Sequence, residues 1–154
     1  ISQPYMVAKM TELLHERQSM NNVLEIGTGC GYQTSILSML FKQVTTIERI
    51  DSLYSQSKKR LINMGFENIS YVLGDGYLGY EKNSPYDAII ITAAASKIPD
   101  KLIEQLKPNG RIVLPLKIND NQQLVKLKNT KNGIIKKVIE DVVFVPMLEG
   151  IENS

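Results

Sequence analysis

The most informative part of the sequence is Asn22-Val-Leu-Glu-Ile-Gly27-Thr-Gly-Cys-Gly31, followed by Tyr32-Gln-Thr-Ser-Ile-Leu-Ser-Met-Leu-Phe41. Residues 22–26 are mostly apolar and predict a short strand. After the glycine cluster, Ile36, Leu37 and Leu40 recur at helical spacing and predict a helix over 32–41. A strand that passes through a glycine cluster into a helix is typical of a parallel α/β sheet.

The same alternation continues on both sides of this stretch. Pro4 suits a first helical turn, because its fixed φ is helical and its missing N–H is not needed there. Asp51 is predicted to cap the third helix and Gly65 to end it, and Pro108-Asn109-Gly110 is predicted to be a turn. The predicted helices are 4–16, 32–41, 51–64 and 99–106, and the predicted strands are 22–26, 44–48, 69–73, 86–92, 111–116, 123–128 and 134–145.

This order of elements predicts one α/β domain over 1–154. Strand–helix alternation followed by a hairpin at 129–133 predicts a doubly wound, mostly parallel Rossmann-like sheet with helices on both faces and antiparallel strands at the C-terminal end. In such sheets ligands bind beyond the carboxyl ends of the strands, near the point where strand order reverses. The segments 27–31, 48, 74–76 and 92–95 all fall at those ends, and we expect the site there.

Composition restricts the class of protein. The chain is 43% hydrophobic and 22% charged, with a net charge of +2 that gives no argument for a nucleic-acid surface. Its longest apolar run has the length of a strand, so no membrane span is predicted. One cysteine and one histidine leave no disulfide and no metal cluster to build. We therefore expect a cytoplasmic protein that holds no metal and binds neither membrane nor nucleic acid. A monomer is a separate expectation, which composition does not supply.

The glycine cluster indicates the kind of ligand. Glycines at 27, 29 and 31 allow a tight turn and leave room for a ligand to approach the backbone. A nicotinamide site expects G-x-G-x-x-G, but position 32 is Tyr32. The pattern G-x-G-x-G with Glu25 two positions before it instead resembles the S-adenosylmethionine site of class I methyltransferases, whose cofactor carries an ammonium that acidic surroundings favour.

Two carboxylates follow at neighbouring strand ends. Glu48 lies 17 residues beyond Gly31 and is placed to accept hydrogen bonds from both ribose hydroxyls. Asp75, between Gly74 and Gly76, is suited to accept from the exocyclic amine of adenine. Alternatively, Glu48 is a surface carboxylate paired with Arg49, and Asp75 is an ordinary turn residue.

The end of the fourth strand restricts the methyl acceptor. Thr92-Ala-Ala-Ala95 lacks the Asn/Asp-Pro-Pro-aromatic run that many nucleic-acid amino-methyltransferases carry there. It also lacks the thiol that methylation at cytosine C5 requires. Cys30 lies in the glycine loop, where we interpret it as a small filler rather than a nucleophile.

Motifs in order along nearly the whole chain closely resemble the protein-L-isoaspartate O-methyltransferases. The Ile-Ser-x-Pro start is specific to that family, whereas many methyltransferases share the glycine loop. The motifs that carry the resemblance are Ile1-Ser-Gln-Pro-Tyr-Met6, Val23-Leu-Glu-Ile-Gly-Thr-Gly29, Gly31-Tyr-Gln-Thr34, Ile47-Glu-Arg-Ile50, Gly74-Asp-Gly76, Pro85-Tyr-Asp-Ala-Ile89, Thr92-Ala-Ala94, Gln105-Leu-Lys-Pro108 and Phe144-Val-Pro146.

The resemblance implies methyl transfer from S-adenosylmethionine, leaving S-adenosylhomocysteine, to the α-carboxylate of isoaspartyl residues in damaged peptides and proteins. The ester then closes to a succinimide, which starts repair. By the same resemblance Ser2 is the active-site residue, with Thr92 and Ala93 facing the substrate carboxylate. The cofactor-binding residues implied by the motifs and the resemblance are Glu25, Gly27, Thr28, Gly29, Gly31, Glu48, Arg49, Asp75 and Gly76.

The chain also departs from the family pattern. It begins at Ile1, where family members carry an upstream segment that helps to cover the cofactor, so we expect a truncated chain and an incomplete site. A methyltransferase for a small molecule or another protein group, and a non-catalytic cofactor-binding module, remain alternatives. Ser2 has a further alternative role as the cap of the helix that starts at Pro4.

Overall fold

A computed structural model describes residues 1–153. Its centre is one seven-stranded sheet with the strand order β3-β2-β1-β4-β5-β6-β7. The strands β1 to β5 run parallel, and β6 and β7 are antiparallel to their neighbours. The strands are β1 Asn22–Ile26, β2 Gln43–Glu48, β3 Ile69–Leu73, β4 Tyr86–Ile91, β5 Leu106–Ile118, β6 Asn121–Thr130 and β7 Gly133–Val142. The predicted mostly parallel sheet with an antiparallel C-terminal end is confirmed.

The helices cover this sheet on both faces. They are α1 Pro4–Leu14, α2 Tyr32–Leu40, α3 Asp51–Asn63 and α4 Asp100–Glu104, with short 3₁₀ turns at Gly76–Leu78 and Glu81–Asn83. Apolar side chains of α1 and α2 pack on one face of the sheet, and Leu102 of α4 packs on the other. No helix within residues 1–153 is both long enough and apolar enough to cross a membrane.

The core reflects the alternation of side chains along each strand. Val23 packs with the α1–α2 face, whereas its neighbour Leu24 packs with the α4 face. All six residues of β4 are buried, as expected for a central strand covered on both sides. These buried central strands therefore fix the positions of the loops that follow their carboxyl ends.

Several predicted element boundaries differ from the structure. Ile50, not Asp51, is the N-cap of α3, and Asp51 is its first helical residue. Gly65 follows the helix with φ +90°, as its predicted role as a stop requires. The segment predicted as a helix to 106 ends at Glu104, because Leu106 already pairs with Tyr86 at the start of β5.

The predicted turn at 108–110 is a bulge within β5. Leu106 pairs with Tyr86 and Arg111 with Ala88, so the extra residues of β5 loop out opposite Asp87. Asn109 takes φ +62° there, in the left-handed region that asparagine tolerates. A second two-residue turn after Ile118 makes β5, β6 and β7 an antiparallel meander, which extends the single hairpin predicted from the sequence.

Candidate functional site

A cavity of about 920 Å³ opens beyond the carboxyl ends of the parallel strands. It lies between β1 and β4, where the strand order of the sheet reverses, which is the position at which open α/β sheets bind ligands. Its size is within the range of about 300–1,000 Å³ found for small-molecule sites. The walls come from the glycine loop, the ends of β2 and β4, the first residues of the chain and the segment after β7.

The three glycines of the loop all have positive φ, but an added Cβ would meet different surroundings at each. Gly27 has φ +96°, and a Cβ there would lie 2.5 Å from Thr92 Oγ1. Gly29 has φ +56° and open space around it, whereas a Cβ at Gly31 would meet Leu61 of α3. Room for a ligand, the reason inferred from sequence for all three, is therefore wrong for Gly27 and Gly31, whose added Cβ atoms would meet protein, and only Gly29 has open space beside it.

Glu48 lies at the cavity wall with only 5% of its surface exposed. Its Oε2 accepts a hydrogen bond of 2.8 Å from Gly29 N, and its Oε1 accepts one of 3.0 Å from Ile50 N. The alternative of a surface carboxylate paired with Arg49 is wrong. A carboxylate has about four lone-pair positions, so two remain for hydroxyl donors in the cavity.

Arg49 and Asp75 are both bonded to the C-terminal segment, defined here as residues 143–153. Arg49 Nη1 lies 2.9 Å from Glu152 Oε2. Asp75 Oδ1 accepts from Tyr77 N, and its Oδ2 accepts from Gly150 N, each at 2.9 Å. Gly76 and Arg49 line the cavity, but Asp75 is not part of its wall. Asp75 thus holds the C-terminal segment in place.

Glu25 lies completely buried beneath the glycine loop and does not line the cavity. Its Oε1 accepts hydrogen bonds from the hydroxyls of Thr34 and Thr46. Burial raises the pKa of this carboxyl from 4.5 to about 7; the two hydroxyl bonds lower it, and the nearby charge of Glu48 raises it further. Thr28, the neighbour of Thr46 in this network, does line the cavity.

The residues predicted for the acceptor side lie together at the cavity. Ser2, Thr92 and Ala93 all line it. The N-cap of α1 is Gln3, so the alternative role of Ser2 as that cap is wrong. Thr92 Oγ1 lies 3.0 Å from Gly27 O and donates toward the loop, which fixes the end of β4 to the end of β1.

Sequence reasoning missed the C-terminal segment as a wall of the site. Ala94 N donates to Val145 O at 2.7 Å, and Met147 N donates to Ala94 O at 2.8 Å, so the segment runs along the end of β4. Val143 to Leu148 contribute to the cavity wall. No periodic pattern marks such an irregular segment; its Phe144-Val-Pro146 motif was noted only as part of the resemblance.

The described residues contain no group of three or more histidine, cysteine, aspartate or glutamate side chains that could hold a metal ion. The polar groups of the cavity wall are serine, threonine and tyrosine hydroxyls, two glutamine amides, the guanidinium of Arg49 and the carboxylates of Glu48 and Glu152, together with the backbone of the glycine loop. Such a set suits an organic ligand with hydroxyl and ammonium groups.

Comparison with known proteins gives a consistent result. The family model for protein-L-isoaspartate(D-aspartate) O-methyltransferase matches residues 1–152. Protein-L-isoaspartate O-methyltransferases of Pseudomonas paraeruginosa and Vibrio atlanticus are 45% and 51% identical to this chain over 150 residues, which is 97% of this chain and 71% of each relative.

Solved structures agree. A protein-L-isoaspartate O-methyltransferase superposes with a TM-score of 0.87 at 28% identity, over 95% of this chain and 47% of the solved one. A Plasmodium falciparum protein-L-isoaspartate O-methyltransferase in complex with S-adenosyl-L-homocysteine superposes with a TM-score of 0.80 at 25% identity, over 96% of this chain and 75% of the solved one.

Proposed function

Because this chain belongs to the protein-L-isoaspartate(D-aspartate) O-methyltransferase family, we propose that it methylates the α-carboxylate of L-isoaspartyl residues in damaged peptides and proteins, with S-adenosylmethionine as donor. The observation that carries this proposal is the match to the family over residues 1–152, which spans every wall of the cavity. The product ester then starts repair of the damaged residue. Two further proposals accompany it, a cytoplasmic location and a monomeric state.

The cavity fits the donor. Gly29 leaves open space beside the loop backbone at the cavity, and Glu48 keeps two acceptor positions for ribose hydroxyls. Thr28 and Arg49 extend the same wall. When bound there, the sulfonium supplies an activated methyl group, so the protein has to bind and orient rather than activate it.

On the acceptor side, the chain needs no general base. A peptide α-carboxyl has an ordinary pKa of about 3.5 and is already ionised at neutral pH. Ser2, which lines the cavity, would donate a hydrogen bond from its hydroxyl to that carboxylate and fix its direction. Thr92 and Ala93 would border the carboxylate from the end of β4.

The orientation of the two reactants and the removal of water from the carboxylate then accelerate methyl transfer. Two well-oriented reactants gain about 7–11 kcal/mol over a bimolecular encounter. The C-terminal segment contributes by covering one side of the cavity, where Met147 and Val145 are bonded to the backbone of Ala94. An apolar wall of this kind removes water from the carboxylate that has to react.

The test uses two versions of one peptide, with isoaspartate or aspartate at a single position. The full-length protein is incubated with each peptide and with donor labelled in its methyl group. We expect base-labile label on the isoaspartyl peptide and little on the aspartyl peptide. Equal labelling of both, or labelling of neither, contradicts the proposed substrate. Sedimentation of the same preparation checks the monomeric state.

A further inference from the structure

Glu25 has one carboxylate oxygen that nothing explains. Its Oε1 accepts from Thr34 and from Thr46, the latter at 2.6 Å. Its Oε2 is buried and has no hydrogen-bond partner among the described residues. A fully buried carboxylate with an unsatisfied oxygen is costly in its charged form, so its ionisation depends strongly on nearby charge.

A chain of hydroxyls links this carboxyl to the cavity. Thr28 Oγ1 lies 2.6 Å from Thr46 Oγ1, and each hydroxyl has one hydrogen to donate. When Glu25 is ionised, Thr46 donates to Glu25 and Thr28 donates to Thr46, so Thr28 offers only lone pairs to the cavity. When Glu25 is protonated on Oε1 and donates to Thr46, the chain reverses and frees the Thr28 hydrogen.

The groups that face Glu25 are almost all uncharged. On β2 they are Thr46, its register partner, and Glu48, whose negative charge opposes ionisation. On β4 its register partner is Ile90. On α2 the packed side chain is Thr34, while the titratable Tyr32 is half exposed at the cavity. The α1 side chain that reaches α2 is Thr11, through Gln33.

We propose that Glu25 is a positioning residue that selects for the positive charge of the methyl donor. Its ionised form, acting through Thr46 and Thr28, turns the cavity wall into an acceptor surface that favours a cation. Binding of the cation then shifts Glu25 from carboxylic acid to carboxylate, and the proton goes to bulk solvent. This inference deepens the proposed function and rests on it.

Acting in this way, Glu25 would distinguish the methyl donor from the product. S-adenosylhomocysteine lacks the methyl group and the sulfonium charge but is otherwise the same molecule. As Glu25 ionises, the affinity of the site for the positively charged donor should rise. Its affinity for S-adenosylhomocysteine, whose sulfur is uncharged, should change little. Burial that raises the pKa of Glu25 to about 7 places this change near neutral pH.

The first experiment needs no ligand. Unfolding free energies of the wild type and Glu25→Gln are measured in urea from pH 5 to pH 8. A carboxyl whose folded pKa is raised from 4.5 to about 7 makes the folded state less stable as pH rises through that window. We expect the wild type to lose stability relative to Glu25→Gln over this range, and parallel curves overturn the inference.

The second experiment measures binding by calorimetry on the full-length protein, with S-adenosylmethionine and with S-adenosylhomocysteine at pH 6 and pH 8. The ratio of wild-type to Glu25→Gln affinity removes titration of the ligand's own amino group. We expect this ratio to rise about fivefold for S-adenosylmethionine and less than about twofold for S-adenosylhomocysteine. In buffers of different ionisation enthalpy, the wild type should release more protons than Glu25→Gln on binding the donor, and the two should not differ with S-adenosylhomocysteine.

Thr28→Val interrupts the hydroxyl chain but keeps Glu25, and it should reduce the fivefold change while retaining the pH dependence of unfolding. Thr45→Val is the matched control. Thr45 is a buried threonine of β2 that does not belong to the chain of hydroxyls, and its side chain accepts a hydrogen bond from Asn83. It should behave as the wild type. Binding with no difference between wild type and Glu25→Gln overturns this inference, whereas binding of neither ligand at any pH overturns the proposed function.

Discussion

Glu48 and Gly29 are joined by a hydrogen bond of 2.8 Å from the Gly29 amide to Glu48 Oε2, so the end of β2 holds the loop that follows β1. The same carboxylate accepts from Ile50 N, which fixes its orientation before any ligand arrives. Because this bond joins the ends of two neighbouring parallel strands, Glu48 both supports the glycine loop and serves as the predicted acceptor for the ribose. Substitution of Glu48 therefore acts on both.

Replacing Glu48 by alanine should weaken binding of S-adenosylhomocysteine by about one to two factors of ten. Hydrogen bonds to a charged acceptor contribute about 1.5–3 kcal/mol each, and the loop loses its support as well. Calorimetry on the full-length protein measures the change. Glu48→Gln, which keeps the shape and one acceptor oxygen, should fall between alanine and wild type. A dissociation constant unchanged in Glu48→Ala would remove this residue from the ribose site.

Ser2→Ala should lower turnover of an isoaspartyl peptide by about tenfold or more while S-adenosylhomocysteine binds as before. The carboxylate loses charge as it attacks the methyl group, so Ser2 acts by orienting it, and a misplacement of about 1 Å costs up to about 10²-fold. Ser2→Thr retains a hydroxyl and serves as the matched variant, with partial activity expected. Loss of cofactor affinity with normal turnover would instead give Ser2 a structural role.

Gly27→Ala should destabilise the fold by more than about 1–3 kcal/mol, the usual cost of a strained backbone conformation. Its φ is +96°, and the new Cβ would in addition lie 2.5 Å from Thr92 Oγ1. Gly65→Ala is the control, because its φ is +90° and no atom lies within 4 Å of the added Cβ. Urea unfolding measures both. Equal destabilisation of the two variants would show that the contact with Thr92 costs nothing.

Acid should unfold the protein partly through Glu16. Burial raises the pKa of this carboxyl, but the hydrogen bond from Lys128 and the charges of Arg111, Lys128 and Lys126 outweigh burial and hold it below its ordinary 4.5. Its stabilising contribution is therefore present above pH 4.5 and is lost as pH falls through the lower folded value. Unfolding followed by circular dichroism from pH 7 to pH 3 should show a shallower loss for Glu16→Gln than for wild type.

At neutral pH, Glu16→Gln should cost up to about 3 kcal/mol, because it leaves the fully buried Arg111 without its carboxylate. Breaking a fully buried ion pair costs about 3–5 kcal/mol. The cost here should not exceed the lower end of that range because the Glu16 side chain is 28% exposed. Glu104→Gln is the control, since Glu104 forms a long, exposed pair with Lys101 and should change stability by less than about 0.5 kcal/mol. If both substitutions lower the free energy of unfolding equally, the burial of Arg111 does not strengthen the contribution of its ion pair with Glu16.

Much of the site's location followed from residue order. Strand ends at Gly27, Glu48, Gly74 and Thr92 could be placed on one edge because parallel strands share their carboxyl ends. The contacts of each side chain could not be predicted. Asp75 was expected to face adenine, yet it accepts from Gly150, 75 residues away, and no local pattern encodes such a partner.

The sequence alone determined the alternation of strands and helices, the glycine loop and the family, because hydrophobic period and motif spacing are local properties of the chain. Only the assembled fold shows how the C-terminal segment closes the cavity, what surrounds each glycine of the loop and that Glu25 is buried without a partner for one oxygen. These depend on which distant residues meet, and burial and hydrogen bonding are set only when the sheet assembles.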